Sequence, residues 1–122
     1  MRLLICGDRN WSNRNIILKW VQNLSPEVII EGEARGADSI ARNIAIELGI
    51  EVLRYPANWN KYGRAAGVIR NTQMLKEGKP DMVLAFHDHI EISKETSNMI
   101  GQAKKIGLPV RLITSFDTGV TA

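Results

Sequence analysis

Four arginines, Arg9, Arg35, Arg64 and Arg70, stand in or near short polar stretches that follow apolar runs. A guanidinium is a planar fork of donors suited to carboxylate and phosphate oxygens, so four of them near one rim point to an anionic ligand, with phosphate the natural choice. The stretch "EGEARGADSIARNIA" (31–45) sharpens that reading. Gly32 and Gly36 bracket a turn where backbone can approach a ligand, and the helix that follows offers free N–H groups and the positive end of its dipole. Arg35 adds a donor, while Asp38 either caps the helix or contacts a ribose hydroxyl. The stretch lacks the Gly-Lys-Ser/Thr of a P-loop and the GxGxxG of a dinucleotide fingerprint. By pattern alone, a phosphate loop and an ordinary strand-to-helix turn both stand.

A second set lies between residues 59 and 74. Gly63, Gly67, Arg70, Asn71 and Met74 fall on one stripe of a helix. Two glycines there cost roughly 1 kcal/mol each against alanine, which close packing of a neighbouring helix or close approach of a ligand would explain. Since Arg70 and Asn71 share the stripe, the ligand is the preferred explanation. Trp59 and Tyr62 flank the helix start and, with Trp11, are candidates to stack on a base or ring; a half-buried place at the rim is the other reading for the tryptophans. His87 and His89 have a spacing that could hold a metal, though an ordinary polar loop is the simpler account. Cys6 lies in an apolar run and reads as a packed thiol; with one cysteine and two histidines, neither a disulfide nor a structural zinc site is expected. No Ser-His-Asp set can be assembled.

The elements that must position these groups alternate regularly. Apolar runs at 3–6, 28–30, 52–55, 82–86 and 110–113 read as strands. Helical periodicity marks 16–24, 37–48, 63–75 and the stretch from Met99 to Ile106, the last stopped by Gly107 and Pro109. Strands apolar throughout, alternating with amphipathic helices, predict a parallel sheet covered on both faces. Right-handed crossovers favour the order 3-2-1-4-5, with ligands outside the carboxyl ends at the switch between strands 1 and 4. One α/β domain over 1–114 is expected, followed by a flexible tail over 115–122.

With 122 residues, 44% hydrophobic and 24% charged, the chain is ordinary for a globular protein, and neither a repeat nor a signal-peptide core nor a membrane span is visible. A cytoplasmic location is expected. The net charge of +3 permits anionic ligands without demanding nucleic acid.

"GDRNW", "GEARGADSIA", "YPANWNKYGRAAGVIRNTQML", "GKPDMVLAF" and "AKKIGLPV", in order over about residues 1–114, resemble the YspA-type branch of the SLOG superfamily. That superfamily includes the Lonely Guy phosphoribohydrolases and relatives of the DNA-processing protein DprA. The resemblance implies a Rossmann-like three-layer domain that senses or acts on nucleotide-derived ligands, often in phage or mobile-element conflict systems, and often as a homo-oligomer. It places Gly32, Arg35, Gly36 and Asp38 along the pocket, with Arg70 and Asn71 facing it. Ser93, Lys94 and Thr96 then form a second anion-binding turn; Gly7, Arg9, Trp11, Trp59 and Arg64 join the ligand-binding set on their loop positions and residue types alone.

That turn departs from the family pattern. Ser93-Lys94-Glu95-Thr96 carries Glu95 where a glycine is usual, and the acidic residues that follow the threonine in the phosphoribohydrolases are here Ser97, Asn98 and Met99. Asparagine cannot serve as a carboxylate base or stabilise oxocarbenium charge. The expectation is therefore a binding module for a nucleotide-like small molecule, needing no cofactor or metal and with nucleic acid disfavoured. The alternative is an N-glycosidase on nucleoside 5′-monophosphates in which Arg70 and Glu95 do the catalytic work.

Overall fold

The computed structural model describes residues 1–117. From residue 118 onward, the tail expected at 115–122 lies outside the described residues. Five strands, β1 (Arg2–Gly7), β2 (Val28–Glu31), β3 (Glu51–Arg54), β4 (Met82–Phe86) and β5 (Val110–Ile113), form one parallel sheet in the order β3-β2-β1-β4-β5. This is the expected order, reached because each crossover carries a helix: α1 (Arg14–Leu24), α2 (Ala37–Leu48), α4 (Ala66–Gly78) and α5 (Lys94–Lys105).

Strand periodicity divides the core. Leu3, Ile5, Ile29, Leu84 and Phe86 point to one face, where Ile16, Ile17 and Val21 of α1 and Ala41, Ile44 and Ala45 of α2 cover them. Leu4, Cys6, Ile30, Val83 and Ala85 point to the other, beneath Met74 and Leu75 of α4 and Met99 and Ala103 of α5. Both faces of the central strands are buried, so near-continuous apolar runs were required. Full burial of each large side chain contributes roughly 1.5–3 kcal/mol.

Two details differ from the sequence expectation. The helix predicted from residue 63 begins only at Ala66; a short helix, α3 (Trp59–Tyr62), and a 3₁₀ turn, Gly63–Ala65, precede it. Asn58 starts α3 by accepting a hydrogen bond from the Lys61 N–H at 3.1 Å, so the polar cap won over the apolar period. Gly63 consequently leaves the Gly67–Arg70–Met74 stripe, and a Cβ there would meet open space. Trp11 is the second. It is 6% exposed, packs edge-on against Phe86 at 5.6 Å and donates its indole N–H to the Asn13 carbonyl at 2.9 Å. It belongs to the core between β1 and α1 and does not line the rim, because the short loop turns it inward.

Candidate functional site at the carboxyl edge of the sheet

Two cavities open where the strands end. The first, about 360 Å³, lies at the switch between β1 and β4. Gly7, Asp8, Arg9 and Asn10 form one wall; His87, His89, Ile92 and residues 93–96 form the other. The second, about 340 Å³, lies beyond β2 and is bordered by Gly32, Glu33, Ala34, Arg35, Pro56, Ala57, Trp59 and Arg70. Arg9 and Glu95 border both.

Glu95 is the hinge of the arrangement. Its carboxylate lies 3.6 Å from Arg9 and 3.8 Å from Arg70, so these two arginines do have an acidic counterpart. Gly67 makes the room, since a Cβ on it would collide with the Glu95 side chain. The small residue on α4 thus serves the packing of α5, which replaces the ligand-approach explanation for that position. Asn71 completes the joint by donating to the Glu95 carbonyl at 3.0 Å and to Asn98 at 3.3 Å.

Arg70 is buried and its donors are engaged. Nη1 donates to the Gly32 carbonyl at 2.5 Å and Nε to Asn71 at 3.2 Å. A Cβ on Gly32 would strike that guanidinium, so the glycine admits Arg70 to the loop. Asp38, 5% exposed, accepts from the N–H groups of Gly32 (3.2 Å) and Ala34 (3.3 Å), tying the loop instead of capping α2. Burial raises its pKa to about 6, against the lowering effect of Arg70 and those N–H groups. Gly36 lies against the backbone of Asp8 and Arg9, and the Ala37 N–H is taken by the Asp8 carbonyl at 3.1 Å. The start of α2 is therefore partly filled by the chain itself.

The start of α5 is more open. Ser93 accepts from the Thr96 N–H at 3.1 Å, leaving the N–H groups of Lys94 and Glu95 without a partner among the described residues. Lys94 is exposed beside them, and Thr96 is buried below. Of the sequence-selected residues, Gly7, Arg9, Ser93, Lys94, Glu95 and Thr96 meet at the first cavity, and Arg9, Gly32, Arg35, Trp59, Arg70 and Glu95 at the second. Asp38 and Asn71 lie beneath, around a space of about 20 Å³. Trp11, Gly36 and Arg64 line none of these cavities. Burial pushes the Cys6 thiol pKa up, in keeping with a packed, unreactive cysteine.

Sequence reasoning passed over Glu31. It is fully buried at the end of β2, accepts from the Glu33 N–H at 2.7 Å and has one carboxyl oxygen unpaired. Burial raises its pKa well above the carboxylate range, whereas that of Glu33 is lowered, first by its hydrogen bond with the Glu31 carboxyl and then by Arg42 at 3.2 Å and Arg54 at 3.9 Å. A raised pKa in the fold means that the stability it brings is complete below about pH 4.3 and is lost as pH climbs toward the folded value. Glu31→Gln should therefore match the parent in urea unfolding near pH 4 and exceed it by a margin that widens up to pH 8. A constant margin would refute the buried-acid account.

Residues 1–62 match the family model described as YAcAr, the YspA, cpYpsA-related SLOG family. The chain belongs to that family. A relative of this SLOG domain, the Gene 61 protein of Mycobacterium phage D29, is 35% identical over 119 residues, covering 89% of this chain and 93% of the phage protein. The fold is also that of the DNA processing protein A (DprA) X-ray structure from Streptococcus pneumoniae. The TM-score is 0.73 at 17% identity, over 91% of this chain and 49% of DprA, so the SLOG domain spans about half of that protein. No helix among the described residues is long and apolar enough to cross a membrane.

Proposed function

We propose that the domain binds a nucleotide or nucleotide-derived phosphorylated ligand at the carboxyl edge and acts as a sensor or sequestering module. The observation that carries this reading is the cavity between β1 and β4, where Arg9, Lys94 and the open start of α5 converge. Phosphate would sit there against the unpaired N–H groups and the helix dipole. The second cavity offers Arg35 and the half-exposed Trp59 to a base or sugar. A mycobacteriophage relative is in keeping with a role in a phage or mobile-element conflict system. Mass spectrometry of small molecules released by heating the purified protein tests the reading, followed by calorimetry with nucleoside 5′-monophosphates. A stoichiometric intact nucleotide is the expected result.

One observation favours the N-glycosidase alternative: Glu95 is a partly exposed carboxylate bordering both cavities. Glu95→Gln separates the two. A binder should hold a nucleoside monophosphate roughly fourfold more tightly once one screened negative charge is gone. A hydrolase should instead lose release of free base while still binding. Because modest charge does not exclude nucleic acid and a structural neighbour is named for processing DNA, a single-stranded oligonucleotide belongs in the same panel. Affinity falling steeply with salt would move the reading there. Sedimentation of free and ligand-bound protein tests self-association.

A further inference from the structure

We propose that His87 is a ligand-binding residue of the β1–β4 cavity, donating a hydrogen bond from Nε2 to an oxygen of a phosphate monoester. The proposal rests on the reading of that cavity as a phosphate site.

His87 directly follows β4, and its backbone N–H is held by the Ile113 carbonyl at 3.0 Å. Its side chain is closely packed, with 6% of the residue exposed, and borders the cavity. Nδ1 accepts from the His89 N–H at 2.9 Å. A ring nitrogen that accepts carries no proton, so the proton of the imidazole sits on Nε2. No group among the described residues pairs with Nε2. Nε2 is not among the fully buried unpaired atoms of the described residues, so it has an opening, and the open space this ring borders is the cavity.

The surrounding charges favour an anion at that point. Arg9 and Lys94 line the same cavity, and the free N–H groups that start α5 face it from the β4 side. The nearby carboxylates have partners of their own: Asp8, which also lines the cavity, accepts from the Asn10 N–H at 2.9 Å, Asp88 accepts from the Ser115 N–H at 2.6 Å, Glu95 lies between its two arginines, and the exposed Glu91 lies 3.8 Å from His89. A phosphate oxygen accepts from a fixed Nε2–H with no change in the ring, whereas a ligand group that only donates finds no acceptor there.

Two substitutions divide the roles of the ring. His87→Asn keeps an acceptor near the Nδ1 position for the His89 N–H and removes the distal donor. His87→Gln extends an amide donor to about the reach of Nε2. With AMP as the probe, His87→Asn should weaken binding about tenfold, as for a hydrogen bond to a charged group, with the melting temperature little changed. His87→Gln should recover most of that loss. In the parent protein, long-range proton–nitrogen spectra should show the Nε2–H resonance of His87 move on titration with AMP. This measurement holds even if a variant fails to fold. AMP binding with an unmoved His87 resonance and an unchanged His87→Asn affinity would overturn the His87 role while the phosphate reading stands. Inorganic phosphate moving the resonance where AMP does not would keep His87 as an anion donor and remove the nucleotide. No response to either probe would remove both.

Discussion

Arg70→Met is expected to lower the unfolding free energy at pH 7.5 by about 3 to 5 kcal/mol, the usual cost of removing one partner from a buried charge cluster. The guanidinium is 7% exposed and reaches three elements at once: the Gly32 carbonyl after β2, Asn71 on its own helix and Glu95 on α5. Its charge also acts on Asp38, whose pKa burial raises to about 6 against the opposing pull of Arg70 first and then of the Ala34 and Gly32 N–H groups. Methionine fills similar space but leaves Asp38 without that opposing charge and the Gly32 carbonyl without its donor. The loss should be smaller at pH 4.5, below the parent value of about 6, where Asp38 is protonated with or without Arg70 and no uncompensated charge remains. Urea unfolding at the two pH values checks this. An equal loss at both would mean that packing alone, and not charge, makes Arg70 important.

Gly36→Ala is expected to be comparably severe, about 3 kcal/mol or more, through strain and overpacking together. Gly36 has φ 73° and ψ −123°, a combination that residues with a Cβ avoid. A Cβ there would also run into the backbone of Asp8 and Arg9, which cannot swing aside as a side chain can. Gly63 is the matched control: its φ of 55° and ψ of −133° lie close to those of Gly36, and a Cβ there meets nothing within 4 Å. Gly63→Ala should therefore cost only the backbone strain, about 1 to 3 kcal/mol. Thermal unfolding of the two variants side by side separates strain from collision. If both lose the same amount, the β1 loop yields to Gly36→Ala, and the contact is not rigid.

The sheet was legible in the sequence because burial on both faces leaves a signature no local choice can hide. Runs such as 82–86 and 28–30 carry no polar residue, and their alternation with helices at ordinary spacing leaves few topologies. The site was legible in its loops but not in its pairings. Arg9, Arg70 and Glu95 were each visible as residue types. That Glu95 lies between the other two depends on where α4 meets α5, which no spacing encodes. Gly32 and Gly67 were read as openings for a ligand, yet the chain's own Arg70 and Glu95 side chains fill those openings. A glycine shows that something comes close, not what. Trp11 and His87 were hardest, since a polar or aromatic residue in a loop carries no mark of which way it turns. Glu31 continues an apolar run, but one residue is too short a period to announce a buried acid.

The β1 register has a consequence for how the molecule is assembled. Leu3 pairs with Ile29 on one side and with Met82 on the other. The first pairing closes a short loop as soon as α1 and β2 exist, while the second waits until β4 has been made, at a larger entropic cost. The seam that closes later is the one whose top carries Gly7 to Asn10 on one side and His87 to Thr96 on the other. A chain leaving the ribosome thus holds half of the β1–β4 cavity early and completes it only when β4 docks. Anything that bridges the cavity acts as a clasp on that late seam, so occupancy would slow the first separation of strands when the domain unfolds.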